Sequence, residues 1–78
     1  MQLELRVYTG LEKYTGTRYG ELIQVEIASG STIRDLLKKY NIPEKEVFSS
    51  LVNGLHKTLD TVLQEGDRVA LFPPVGGG

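Results

Sequence analysis

An α+β fold, one mixed sheet with a single main helix packed on one face, is predicted for this chain by three observations. Segments that alternate apolar and polar residues read as half-buried strands. One stripe of apolar residues at helical spacing lies between them. Short breaks rich in glycine, asparagine and proline separate the segments. In order, the elements read strand, strand, helix, strand, short strand, strand, which gives a sheet of four to five strands without internal repeats. The chain has 78 residues, enough for one small domain with a thin core.

Leu3, Leu5 and Val7 alternate with Gln2, Glu4, Arg6 and Tyr8, which predicts the first strand. The stretch from Gly10 to Gly20 is too long for a tight hairpin loop, and Leu11-Glu12-Lys13-Tyr14 suits a short helical turn within it. A second strand is predicted from Leu22 to Ile27, with Ile23, Val25 and Ile27 on one face. Gly30-Ser31-Thr32 then opens a helix, with Thr32 as N-cap and Asp35 as its capping-box partner. Ile33, Leu36, Leu37 and Tyr40 form its apolar stripe. Burying each is worth roughly 1.5–3 kcal/mol as an upper estimate. Lys38 and Lys39 stand at the negative end of the helix dipole, and Asn41 and Pro43 end the helix. A third strand is predicted near Val47 to Val52. Asn53-Gly54 then supplies the two positions of a tight hairpin, with Leu55-His56-Lys57 as the short return strand. Thr58 to Leu63 reads as an irregular turn that tucks Leu59 and Leu63 inwards. Glu65-Gly66-Asp67 turns the chain into a last strand, Arg68 to Phe72, which Pro73 and Pro74 stop.

Nine basic and ten acidic residues leave a net charge of -1, which offers no electrostatic attraction to nucleic acid or to an anionic membrane. No apolar run approaches the ~20 residues that a bilayer span needs. The N-terminal residues alternate like a strand and lack a signal-peptide core, so a cytoplasmic address is expected. Cysteine is absent and His56 is the sole histidine, so no thiol nucleophile and no metal site is expected. Such a chain is not expected to be an enzyme by itself. Any chemistry must use a backbone group or a partner's residues.

The stretch Gly66-Asp67-Arg68-Val69-Ala70-Leu71-Phe72-Pro73-Pro74-Val75-Gly76-Gly77-Gly78 resembles the C-terminus of the MoaD/ThiS family of sulfur carriers. The resemblance is greatest to molybdopterin synthase small subunits, whose chains typically end in Phe-Pro-Pro-Val and a terminal Gly-Gly. Val52-Asn53-Gly54 resembles the family's third-strand motif. Tyr8 followed by Leu11 resembles its first-strand exit, where phenylalanine is more usual. A third terminal glycine departs from the pattern, and the loop from Gly10 to Gly20 matches no motif.

The resemblance implies a β-grasp, ubiquitin-like domain over residues 1–74 and a flexible tail over residues 75–78. It implies that the Gly78 carboxylate is adenylated with ATP by an E1-like enzyme and converted to a thiocarboxylate with sulfur from a donor protein. The chain would bind no cofactor itself, and a molybdopterin synthase large subunit would receive the sulfur. The chemistry is sound: a C-terminal carboxylate, with an ordinary pKa near ~3.3–3.7, is ionised near neutrality and can attack the α-phosphate. Gly76, Gly77 and Gly78 lack Cβ atoms, which suits a narrow channel. From Val75 onward the tail reaches about 13–14 Å when extended. Pro73 and Pro74 hold its base extended beforehand, which lowers the roughly 1–2 kcal/mol per residue that ordering costs. Taken alone, terminal glycines are commonly a disordered end, and a Pro-Pro pair commonly terminates an edge strand. Within the resemblance, the alternatives are a carrier for thiamine thiazole synthesis, a ubiquitin-like modifier joined through Gly78 to lysine, and a non-catalytic β-grasp interaction module.

Tyr8, Leu22 and Phe72 fall out of phase with the core-facing residues of their strands. Together with Pro73, Pro74 and Val75 they are the expected partner-binding residues, an apolar patch on the open face of the sheet. The alternative is that they are scattered exposed residues of the ordinary kind. Lys38, Lys39 and Lys45 are expected to be solvated charges.

Overall fold

The computed structural model describes residues 1–74. Five strands form one sheet: β1 (Gln2–Val7), β2 (Ile23–Glu26), β3 (Ser49–Val52), β4 (Leu55–His56) and β5 (Arg68–Phe72). Two helices, α1 (Glu12–Thr15) and α2 (Ile33–Lys39), and a 3-10 turn at Glu44–Glu46 complete the elements. The spatial order is β2-β1-β5-β3-β4. Strand β5 runs parallel to β1 and antiparallel to β3, and the other pairings are antiparallel. This is the expected mixed sheet with one main helix, a β-grasp arrangement.

The period of two decides the two faces of the sheet. Leu5 lies beside Val69 and Val7 beside Leu71 in the β1–β5 register, and all four side chains are buried. Glu4 beside Arg68 and Arg6 beside Ala70 alternate with them on the other face. Ile33, Leu36 and Leu37 of α2 cover the apolar face, and Leu3, Val25 and Val52 widen the same core. Leu11 and Leu63, brought in from loops, are also buried in it. Ile23, Ile27, Tyr40 and Leu59 pack around its margin, half-buried.

Helix α2 has only seven residues, and both its ends are tied down. The Thr32 hydroxyl accepts from the Asp35 backbone N–H, and the Thr32 N–H donates to the Asp35 carboxylate at 2.9 Å, which completes the capping box. The N–H groups of Ile33 and Arg34, which have no partner inside the helix, donate to the carbonyls of Thr61 and Leu59 in the loop beside them. At the other end Asn41 takes a left-handed φ of 57°. The Ile42 N–H reaches back to the Leu37 carbonyl at 2.9 Å and the Asn41 N–H to that of Lys38 at 3.1 Å. That is a Schellman motif, with Ile42 and Leu37 both buried as its apolar contact. Arg34 pairs with Glu44 at 2.8 Å and with Asp60, which ties the helix to the segments on either side.

Three boundaries differ from expectation. The second strand is confined to Ile23–Glu26, which leaves Leu22 before it and Ile27 after it. The third strand begins at Ser49 and not at Val47, because the 3-10 turn takes the Val47 N–H to the Glu44 carbonyl at 3.0 Å. The Tyr14 hydroxyl donates to Glu46 and the Lys13 ammonium lies 3.6 Å from it, so α1 anchors this turn. The return strand stops at His56. Asn53 and Gly54, at φ 53° and 85°, make the expected hairpin turn.

Candidate functional site

Strand β5 places the base of the C-terminal stem in the middle of the sheet. It has neighbours on both sides, so Pro73 and Pro74 do not terminate an edge strand. Near its end the Tyr8 N–H donates to the Leu71 carbonyl at 3.2 Å and the Phe48 N–H to the Phe72 carbonyl at 2.8 Å. Beyond that point the two prolines carry no N–H with which to continue either ladder. The chain must therefore leave the sheet here. Pro73 is half-buried and Pro74 exposed.

Tyr8 and Phe72 follow the paired residues Val7 and Leu71, and so meet on the open face. Their rings stack with centroids 4.6 Å apart and planes 5° apart. Tyr19 closes the group edge-on, 5.1 Å from Tyr8 at 80°. Gly20 makes room for it. Its N–H donates to the Val7 carbonyl at 3.0 Å, and a Cβ there would stand 2.9 Å from Tyr8 Cε1. Its φ of 68° is itself one that side chains disfavour. The Tyr8 ring thus covers a bare stretch of backbone. Farther along the same face lie Arg6 and Arg68.

Of the residues expected to bind a partner, Tyr8 and Phe72 are brought together. Leu22, 40% exposed, lies just before β2, where the next step of the register faces Arg6, and it is not part of the stack. Pro73 and Pro74 continue from Phe72. Val75, Gly76, Gly77 and Gly78 lie outside the described residues.

Two exposed aromatics near the stem were not anticipated. Tyr19, 66% exposed, sits in a loop that carries no periodicity, and only its place beside Gly20 opposite an aromatic strand residue hinted at it. Phe48 has the helix-side phase of Ser50 and Val52, yet is 75% exposed. Among the described residues, no group of three or more His, Cys, Asp or Glu side chains could hold a metal ion. No helix there is long and apolar enough to cross a membrane.

The ThiS family profile matches residues 6–78. No curated protein matches the chain. Among solved structures, SAMP1 from Haloferax volcanii is similar with a TM-score of 0.73 and 27% identity, over 100% of each chain. A putative molybdopterin converting factor subunit 1 from Pyrococcus furiosus shares the fold with a TM-score of 0.71 and 24% identity, over 96% of this chain and 99% of that one. A chain in a complex of subunits 1 and 2 of molybdopterin-converting factor from Helicobacter pylori shares it with a TM-score of 0.61 and 23% identity, over 100% of this chain and 100% of that one. With a profile match that runs from the end of β1 through the last glycine, and a β-grasp sheet whose central strand feeds the stem, the chain belongs to the ThiS family, as a ubiquitin-like sulfur carrier of the MoaD/ThiS type.

Proposed function

We propose that this carrier holds sulfur as a thiocarboxylate at Gly78 and donates it in molybdopterin synthesis. The observation that carries the reading is the family match through Gly78 on a chain whose central strand ends in an aromatic stack and a Pro-Pro stem. In the first step a carboxylate oxygen of Gly78 attacks the α-phosphorus of ATP on an E1-like adenylating enzyme, and pyrophosphate leaves. A sulfur nucleophile at the oxidation level of sulfide, supplied by a donor protein, then attacks the acyl carbon. AMP leaves and a carbon–sulfur bond remains. The ATP is the partner's substrate, and the chain holds no cofactor of its own. It supplies the stem and the docking face, and its partners supply the catalytic side chains. The setting is the cytoplasm.

The synthase large subunit is the proposed acceptor on two grounds. The Helicobacter pylori neighbour is a complex of subunit 1 with subunit 2 of molybdopterin-converting factor. The Phe72-Pro73-Pro74-Val75 stem suits a channel shaped for a stiff apolar segment, because two prolines fix φ and remove two donors. A second reading has its own support: SAMP1 is named a small archaeal modifier protein, which favours conjugation of Gly78 to a lysine. The family's name keeps thiazole synthesis as a third.

The test is pyrophosphate exchange with the adenylating enzyme of the source organism. Deleting Gly77 and Gly78, or adding one residue after Gly78, is expected to abolish exchange and leave the melting curve unchanged. Normal exchange by the extended chain would refute the terminal-carboxylate mechanism. The thiocarboxylate form, offered to a molybdopterin synthase large subunit and to a thiazole synthase with their precursors, is expected to yield dithiolene with the first and little thiazole with the second. Lysine conjugates in place of a thiocarboxylate would favour the modifier.

A further inference from the structure

We infer that an open groove between Arg6 and Arg68 seats an acidic loop of the adenylating enzyme, so that charge as well as apolar contact selects the partner that takes the tail. This rests on the sulfur-carrier reading above. The groove, of about 420 Å³, lies on the face of the sheet that no helix covers. Its floor is Leu51 and Ala70, which are register neighbours and both half-buried. Arg6 stands beside Ala70, and Arg68 comes two residues before Ala70 on the same strand, which sets a guanidinium on two sides of an apolar floor.

Neither arginine forms an ion pair among the described residues, whereas Arg34 forms two and Lys13 one. Glu4 is the one carboxylate in the groove lining, against two guanidinium groups. The excess is local, because the chain as a whole carries a net charge of -1. Asn53 also lines the groove, but its amide is committed. It donates to Asp67 at 2.9 Å and accepts from the Arg68 backbone N–H at 3.0 Å. What remains for a ligand is two forked cations over a short apolar floor. That combination suits a carboxylate carried on a polypeptide, bound through paired N–H donors with its methylenes on Leu51 and Ala70. Arg6 is half-buried, so a carboxylate placed against it is partly removed from water and held more strongly than a freely solvated pair.

The groove is also continuous with the stem. Arg68, Ala70 and Phe72 project from β5 to the same face, so a partner that grips the stack at Tyr8 and Phe72 lies over the arginines next. A phosphate backbone is a poorer occupant, since two cations with Glu4 beside them offer no continuous basic track.

The experiment is calorimetric titration of the whole chain into the adenylating enzyme of the source organism at about 0.1 M and about 1 M salt, across which the Debye length falls from about 10 Å to about 3 Å. Wild-type affinity is expected to weaken with salt. Arg6→Gln and Arg68→Gln are each expected to lose roughly three- to ten-fold at low salt, and the double charge reversal to Glu about a hundred-fold, with most of the salt dependence gone. If the reversal variants fail to fold, the glutamine variants carry the test. A folded double variant with wild-type affinity and salt dependence overturns the inference. So does a loss confined to self-association or to oligonucleotide binding. Absence of exchange by the wild-type chain refutes the sulfur-carrier reading, whereas wild-type exchange with charge-insensitive binding overturns this inference alone.

Discussion

Leu71 and Phe72 are neighbours on one strand, and the fold predicts opposite consequences for truncating them. Leu71 is fully buried between sheet and helix. Leu71→Ala removes buried methyl and methylene groups and leaves a cavity, which costs about 2–5 kcal/mol. Phe72 is half-buried on the open face, where its principal partner is the Tyr8 ring. Phe72→Ala forfeits part of a phenyl ring's burial and one stacked pair, together about 1–2.5 kcal/mol. A domain of this length has roughly 4–12 kcal/mol of stability in total at ~0.05–0.15 kcal/mol per residue. Phe72→Ala should therefore remain folded at room temperature, and Leu71→Ala should stand near the limit.

Urea denaturation measures both, provided that the slope m stays constant across the set. Each kcal/mol lowers the melting temperature by about 4–8 °C in a domain of this size. A double-mutant cycle with Tyr8→Ala should return about 0.5–1.5 kcal/mol of coupling for the stack. Phe72→Asp should likewise fold, yet lose affinity for the adenylating enzyme, because its charge would enter an apolar contact. If Phe72→Ala destabilises as much as Leu71→Ala, Phe72 is a core residue and the docking face is misassigned; if the cycle shows no coupling, the Tyr8–Phe72 stack is refuted.

Two further outcomes follow from local geometry. Gly20→Ala should cost about 1–2 kcal/mol from its left-handed backbone alone, with more from displacement of the Tyr8 ring; thermal melting and near-ultraviolet circular dichroism of the tyrosines check this, and an unchanged spectrum would show that the ring does not lie over Gly20. The Asp35 carboxyl is held below its ordinary range, first by the Thr32 backbone N–H and then by the Thr32 hydroxyl, both of which bond its ionised form. Because the folded-state value is the lower one, this stabilisation is complete above the unfolded value near ~4 and fades as pH falls through the folded value. Asp35→Asn should therefore melt earlier than wild type near neutrality and converge with it in acid, and parallel melting curves at every pH would exclude the linkage.

What was legible in the sequence was local. Leu3, Leu5 and Val7 announce a strand by spacing alone. Thr32 with Asp35, Asn41, and Asn53-Gly54 each use a residue type whose backbone or side-chain chemistry selects one conformation. What was not legible depends on distant partners. Nothing in Arg68 to Phe72 states that this strand enters between β1 and β3, because pairing is settled by the whole sheet. The 3-10 turn at Glu44–Glu46 escaped notice because its anchor, Tyr14, comes from a different loop. At the site, the phase of Tyr8 and Phe72 gave their shared face, and the register then made them neighbours. Leu22 had the right phase but lies outside the stack. Tyr19 fills the place beside Tyr8 because Gly20 lets the loop come close, a relation that no window of sequence contains.

The central position of β5 sets an order on how the molecule comes into being. The last strand in the chain fills the middle of the sheet, so β1 and β3 present unpaired edges until Arg68 to Phe72 arrive. During synthesis the two halves cannot close on each other beforehand, and folding waits on contacts of long sequence separation, which makes it slower than that of a helical bundle of the same length. A folded molecule is for that reason one whose translation has passed Phe72.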